Sequence, residues 1–183
     1  MSEAPGVRAA LDAFARELAR WGARMNLVGS TDAEAIARHV EDSLAAAREL
    51  PAGASVVDLG SGAGFPGLPI ALARSDLAVV LVEIREKRLA FLRHVARELA
   101  PHVEVLARSI EDPPPNRFDF ALLRAVARPA RSLELARPWL EPAGEVWIWA
   151  GPADDLPGAR LLPLRSGGRI LRLRASDFSR GTT

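Results

Sequence analysis

The chain lacks cysteine, and it has no long apolar segment. Without cysteine it can form no disulfide, thiolate zinc site or iron–sulfur cluster, and no mechanism can use a thiol nucleophile. No segment approaches the roughly 20 apolar residues that span a bilayer, and the first residues lack the pattern of a signal peptide. These features predict a cytoplasmic protein with no membrane partner.

The chain also lacks a large excess of charge of either sign. The 183 residues include 24 basic and 23 acidic side chains, a formal charge of +1. This balance excludes a protein that binds polyanions by bulk electrostatics, so any nucleic-acid site must be local. Apolar residues make up 49% of the chain and charged residues 26%, which predicts a single folded domain over residues 1–183.

The hydrophobic periodicity divides this domain into three parts. Residues 1–50 form a helical extension, in which apolar residues recur at helical spacing over 7–21 and again from Ile36 to Leu50. Residues 51–151 form the core, where strand-like and helical patterns alternate and predict a doubly wound, mostly parallel α/β sheet of the Rossmann-like class. The predicted strands are 55–59, 78–83, 103–107, 118–123 and 145–150, and the predicted helices are 66–74, 85–100 and 129–140.

Residues 152–183 form a short hairpin and tail. Two strand-like runs, 160–164 and 169–174, flank the turn residues Ser166-Gly167-Gly168 and predict a terminal hairpin. Arg172 and Arg174 share one strand face. We favour a solvated edge whose charges discourage aggregation, and an RNA contact is the alternative.

A glycine-rich segment follows the first predicted strand of the core. It begins with Asp58 and carries Gly60, Ser61, Gly62 and Gly64 before the next helix. Glycines allow a tight turn and close approach of a ligand to the backbone, and the free amides of the following helix attract an anionic group. Glu83 ends the next strand, 23 residues after Gly60, near the spacing at which a carboxylate accepts ribose hydroxyls. Together these features predict an adenosine cofactor.

Asp58 favours one cofactor over another. Residues 62–67 also fit the dinucleotide pattern G-x-G-x-x-G, but a carboxylate just before the turn repels a pyrophosphate. S-adenosylmethionine instead brings a cationic amino group and a sulfonium to this position. The pattern Asp58-x-Gly60-x-Gly62-x-Gly64 is therefore typical of class I S-adenosylmethionine-dependent methyltransferases. A dinucleotide enzyme and a structural glycine turn that binds no ligand are the alternatives.

The side chains that are present limit which methyl acceptors the protein can use. Methylation of carbon 5 of a pyrimidine needs a thiolate nucleophile, which this chain lacks. Methylation of an exocyclic amine usually needs an Asn/Asp-Pro-Pro-aromatic loop, but this chain has Leu123-Arg124-Ala125-Val126 at that position. No histidine spacing indicates a metal site. A ring nitrogen such as guanine N7 needs no general base, and orientation then carries the catalysis. Arg124, expected at the carboxyl end of the sheet, is the catalytic candidate; it can donate to guanine O6 or bind the cofactor carboxylate.

Several segments together resemble the RsmG (GidB) family, bacterial methyltransferases that modify guanine N7 in small-subunit ribosomal RNA. The resemblance runs from about Trp21 to Gly151. It is carried by Asn26-Leu27, His39-x-x-Asp42-Ser43-Leu44, the double-proline loop 58–69, Lys87-Arg88-x-x-Phe91-Leu92 and Arg124-Ala125.

The resemblance implies site residues and partners. Cofactor contacts fall on Asp58, Gly60, Ser61, Gly62, Gly64, Phe65, Glu83, Ile110, Glu111 and Arg124, and the substrate side on His39, Asp42 and Arg128. A surface loop is the alternative for Ile110 and Glu111, and a hydrogen-bond network at a helix end for His39 and Asp42. The implied cofactor is S-adenosylmethionine without a metal, the partner is small-subunit ribosomal RNA or the 30S particle, and we expect a monomer.

Two departures from the family pattern concern the substrate. The family usually has a lysine before the glycine that ends the fifth strand, whereas this chain has Ala150 before Gly151. The family's longer carboxyl-terminal segment is replaced by a short tail through Arg169, Arg172, Arg174 and Arg180. A class I methyltransferase of a small molecule or protein, and a non-catalytic homologue that binds cofactor or RNA, therefore stay open as alternatives.

Overall fold

The computed structural model describes residues 4–25 and 32–178, with no account of the side chains of residues 23–25. Two helices come first, α1 (Pro5–Met25) and α2 (Ala33–Glu49). Leu11, Phe14 and Leu18, spaced three and four residues apart on one face of α1, are buried in the core. Asn26-Leu27 of the family resemblance lies outside the described residues. In the described part of the chain, no helix combines the length and apolar character that a membrane span requires.

The centre of the fold is a seven-stranded sheet of order β3-β2-β1-β4-β5-β7-β6. Its first five strands are parallel, and the last two form an antiparallel hairpin with β7 paired to β5. The predicted doubly wound α/β sheet and terminal hairpin are confirmed. The strands are β1 (Ser55–Leu59), β2 (Ala78–Glu83), β3 (Glu104–Ala107), β4 (Phe118–Arg124), β5 (Leu140–Ala150), β6 (Arg160–Pro163) and β7 (Arg169–Arg174).

Helices cover both faces of the sheet, because alternate residues of each strand point to opposite faces and both sets are apolar. One core includes residues of α1, α2, α3 (Gly67–Ala73) and α4 (Glu86–Leu99). The other includes residues of α5 (Pro129–Ala136) and the 3₁₀ turn Arg137–Trp139. The predicted helix 129–140 is too long, because Pro138 has no amide hydrogen to continue the helical hydrogen bonds.

The hairpin corrects our interpretation of Arg172 as part of a solvated edge. Strand β7 lies between β5 and β6, so β6 forms this side of the sheet. The Arg172 guanidinium carbon lies 4.4 Å from the centre of the Trp147 ring, and its Nη1 is 3.0 Å from Glu49 Oε2. Arg172 therefore connects the hairpin to α2, whereas Arg174 is exposed. Arg180 lies outside the described residues.

The parallel strands end at one edge of the sheet, which we call the carboxyl edge. The β1–α3 loop, the end of β2, the β3–β4 loop and the β4–α5 segment all lie there. Because β6 runs parallel to β5, the β6–β7 turn lies at this edge as well. Open α/β sheets bind their ligands at this edge, and the fold thus gathers the predicted site residues there.

Candidate active site

The β1–α3 loop turns sharply as it leaves the sheet. Gly60, Gly62 and Gly64 have φ angles of +76°, +58° and +90°, in the left-handed region that favours glycine. The amides of Gly60 and Ser61 both donate to the carbonyl oxygen of Val82 at 2.9 Å, which ties the turn to β2. The predicted glycine turn is thus present.

Asp58 is buried beneath this turn. Its Oδ2 accepts a hydrogen bond of 2.9 Å from the amide of Gly67, whereas its Oδ1 is buried without a partner among the described residues. A Cβ atom on Gly67 would lie 2.6 Å from that Oδ2, so only glycine allows this close approach. Burial raises the pKa of the Asp58 carboxyl to about 7, and hydrogen bonds from Gly67 and Ser61 oppose the shift.

Glu83 lies at the end of β2 and contacts the same turn. Its Oε1 accepts from the amides of Ile84 and Arg85 at 2.8 and 2.9 Å, and its Oε2 accepts from the amide of Gly62 at 3.2 Å. The Arg88 guanidinium lies 3.5 Å from that second oxygen. Three backbone amides therefore hold this carboxylate, one of them from the turn, and its binding to ribose hydroxyls stays a prediction.

Arg124 ends β4 and is largely buried at the carboxyl edge. Its Nη2 contacts the Nδ1 of His39, and its Nη1 is buried without a partner in the described part of the chain. The guanidinium carbon lies 5.8 Å from the centre of the Phe65 ring, itself buried. The next residue, Ala125, has a φ angle of +54°, an uncommon conformation for alanine that recurs at functional sites.

His39 is the hydrogen-bond partner of Arg124 on one side of the guanidinium. Burial, followed by the charges of Arg124 and Arg38, lowers the pKa of the imidazole to about 4. The ring is therefore neutral at pH 7 and accepts at Nδ1 the hydrogen bond that Arg124 donates. This contact agrees with the hydrogen-bond network that we weighed for His39, and a contact with RNA stays a prediction.

Asp42 joins α2 to the hairpin. This residue is buried, and burial raises the pKa of its carboxyl, while hydrogen bonds from Ser166 and the charge of Arg124 oppose the shift. Ser166 lies in the β6–β7 turn. Sequence reasoning missed it as a site residue, because a serine beside two glycines only indicates a turn and its partner is 124 residues away.

Two further predicted residues lie in the β3–β4 loop. The carbonyl oxygen of Ile110 accepts a hydrogen bond of 2.8 Å from the Nε1 of the buried Trp139, which fixes the loop to the core. The Glu111 side chain is exposed, and its Oε1 pairs with Arg131 at 3.0 Å. The position of this loop thus fits a contact with adenine. The exposed side chain of Glu111 also fits the alternative interpretation, a surface loop.

Arg128 is apart from the other predicted substrate residues. It is exposed at the start of α5, where it lines a cavity of about 350 Å³ between the β4–α5 segment and the end of β5. His39 and Asp42, in contrast, contact Arg124 and the hairpin. The structure therefore separates the predicted substrate side into two places along the carboxyl edge.

The sequence of this chain is similar to proteins of one methyltransferase family. The family model for rRNA small subunit methyltransferase G matches residues 8–155. Curated relatives named Ribosomal RNA small subunit methyltransferase G include one from Gluconobacter oxydans, 37% identical with 93% of each chain covered. Another, from Roseiflexus, is 41% identical and covers 88% of this chain and 74% of its own.

Solved structures show the same fold at low sequence identity. A SAM dependent methyltransferase from Aquifex aeolicus has a TM-score of 0.59 at 17% identity, with 75% of this chain and 91% of that chain covered. A mutant of MtNAS in complex with S-adenosylmethionine also has a TM-score of 0.59, at 18% identity and with 88% and 72% covered. This chain thus shares the class I Rossmann-like fold with these solved structures. Given the family match and these relatives, the chain belongs to the rRNA small subunit methyltransferase G family.

Proposed function

We propose that this chain transfers a methyl group from S-adenosylmethionine to guanine N7 of small-subunit ribosomal RNA. Its family membership and the names of its relatives support the RNA substrate. The glycine turn, Glu83 and Arg124 at one edge of a class I sheet support the cofactor. We further propose a monomer that acts in the cytoplasm on the ribosomal RNA or the 30S particle.

One observation carries the cofactor assignment. Asp58 Oδ1 and Arg124 Nη1 are both buried without a hydrogen-bond partner among the described residues, and the charge of each group shifts the pKa of the other. A buried acceptor and a buried donor without partners are costly unless a ligand satisfies them. The amino acid end of S-adenosylmethionine carries an ammonium and a carboxylate, which complement these two groups. Asp58 would then bind the ammonium, and Arg124 the carboxylate.

Other residues would bind the rest of the cofactor. The turn of Gly60, Ser61, Gly62 and Gly64 would lie against the methionine part, and the buried Phe65 ring lies beside Arg124. Glu83 would accept the ribose hydroxyls, and Ile110 and Glu111 would lie beside the adenine. When bound, S-adenosylmethionine supplies an electrophilic methyl group.

The chain contributes orientation more than proton transfer. Guanine N7 carries a free lone pair, so its methylation needs no general base. Arg124 is the proposed catalytic residue because it would hold the cofactor beside the β4–α5 segment, where the acceptor enters. Donation from Arg124 to guanine O6 is the other role that its position allows.

The proposal is tested by methyl transfer to RNA. Small ribosomal subunits stripped of this methylation would be incubated with labelled S-adenosylmethionine and the wild-type protein, and 7-methylguanosine would be mapped in the RNA. We expect transfer to a guanine N7, a large loss in Arg124→Ala, and no loss in Arg93→Ala, an exposed arginine on α4. Transfer only to a protein or small metabolite, or cofactor binding without transfer to any RNA, would contradict the proposal.

A further inference from the structure

None of the residues proposed to bind the cofactor lines the cavity beside Arg128. It lies at the carboxyl edge, and its walls include Val126, Arg128, Trp149 and Asp154. Val126 separates it from the glycine turn, since a Cβ atom on Gly60 would lie 3.1 Å from Val126 Cγ2. A group inside the cavity is thus one side chain away from the place proposed for the methionine end of the cofactor. With a volume of about 350 Å³, the cavity has room for a planar base.

A fixed carboxylate faces this cavity. Asp154 Oδ2 accepts a hydrogen bond of 2.8 Å from the amide of Gly151, and the amide of Asp154 donates to the Gly151 carbonyl at 3.3 Å. A Cβ atom on Gly151 would lie 3.2 Å from that Oδ2, so the glycine permits the close turn. Among the described residues, Oδ1 of Asp154 receives no hydrogen bond. The turn therefore presents one oriented acceptor to whatever enters.

Guanine has the matching chemistry. Its Watson–Crick edge carries two adjacent donors, N1–H and the 2-amino group, and a carboxylate accepts both. Adenine has an acceptor at N1 and would face the carboxylate with lone pairs. A guanine held by this edge keeps N7 free on the opposite side of the base. Arg128, exposed and without an ion pair among the described residues, is placed to contact an RNA phosphate.

We infer that Asp154 is a specificity-determining residue, which recognises the Watson–Crick edge of the acceptor guanine inside this cavity. The inference rests on the proposed function and adds to it a residue that neither the family pattern nor the cofactor motif includes. It also explains how a chain of nearly neutral charge selects its target base, because selection comes from one oriented carboxylate instead of a charged surface.

The test compares Asp154→Asn with Asp155→Asn. Asparagine keeps an oxygen for the Gly151 amide but loses the charge and one acceptor. The control removes the same charge one residue later, where Asp155 Oδ1 accepts from the Leu156 amide at 2.8 Å. Each protein would be saturated with S-adenosylhomocysteine and titrated with GMP, IMP and AMP, with binding followed by NMR at the Trp149 indole. Inosine lacks only the 2-amino group of guanine.

We expect the wild type and Asp155→Asn to bind GMP about tenfold more tightly than IMP, with no AMP signal at the cavity. Asp154→Asn should bind GMP and IMP equally and should methylate ribosomal RNA about tenfold to hundredfold more slowly. An unchanged GMP preference or an unchanged methylation rate in Asp154→Asn would overturn the inference, as would GMP binding that leaves Trp149 unperturbed. Methyl transfer by the wild type in the same preparation separates this failure from failure of the proposed function.

Discussion

Arg124 donates a hydrogen bond to His39, which precedes it by 85 residues. The contact joins the end of β4 to the middle of α2, so the amino-terminal helical extension contributes a residue to the candidate site. Because burial and the arginine charge keep His39 neutral, the imidazole can accept this bond at pH 7. The other terminal nitrogen of the arginine, Nη1, is buried with no hydrogen-bond partner among the described residues.

His39 should make the protein sensitive to mild acid. Its pKa is about 4 in the folded chain, against an ordinary value of 6.5. Between these values the unfolded chain binds a proton that the folded chain excludes, so the stability linked to His39 is complete above pH 6.5 and is lost as the pH falls toward 4. We expect His39→Gln to show a smaller fall in melting temperature from pH 7 to pH 4.5 than the wild type. His102→Gln, an exposed histidine, should behave like the wild type.

Cofactor affinity should depend on the protonation of Asp58. Without ligand its pKa is about 7, and an ammonium beside it would favour the ionised form. Below pH 7 binding must displace a proton, so the affinity should weaken by up to about tenfold per pH unit and level off above pH 7. Calorimetry from pH 5.5 to 8.5 measures this slope. Asp58→Asn should bind weakly with a flat profile, and a slope equal to that of the wild type would refute the assignment.

Gly67 should tolerate no side chain. A Cβ atom there would lie 2.4 Å from Leu81 Cδ2 and 2.6 Å from Asp58 Oδ2. We expect Gly67→Ala to lower the free energy of unfolding by about 1–3 kcal/mol and to weaken cofactor binding, because Asp58 must move. Urea unfolding and calorimetry measure both effects. Gly6→Ala, in α1 with no atom within 4 Å of the new methyl group, is the control and should not lose stability.

Ser166 should act as a positioning residue for Arg124. Its hydrogen bonds hold the Asp42 carboxyl, whose charge faces the arginine. The substitution Ser166→Ala removes the hydroxyl and with it one hydrogen bond, worth about 1 kcal/mol. We therefore expect it to raise the KM for S-adenosylmethionine about fivefold. We expect kcat and the melting temperature to change little, and Ser166→Thr to restore the KM. An equal change in Ser176→Ala, an exposed serine after β7, would argue against this role.

Patterns within short segments were enough to predict the sheet and its helices. Strands β1 and β2 lie where the apolar runs place them, because burial on both faces leaves a continuous apolar signal. The α5 helix is shorter than predicted, since Pro138 ends it. Strand β5 starts at Leu140, five residues early, because Leu140 pairs with Phe118 across an irregularity that no local pattern records.

The glycine turn, the acid before it and the acid that ends β2 were determined by the sequence itself, because the βαβ unit fixes how close these residues come. The partners of Arg124 and Asp42 were decided only by the tertiary structure. His39, Ser166 and the oriented carboxylate of Asp154 lie on separate segments that converge at the carboxyl edge. Such convergence depends on how helices and the hairpin pack on the sheet, and side-chain spacing along one segment carries no information about that packing.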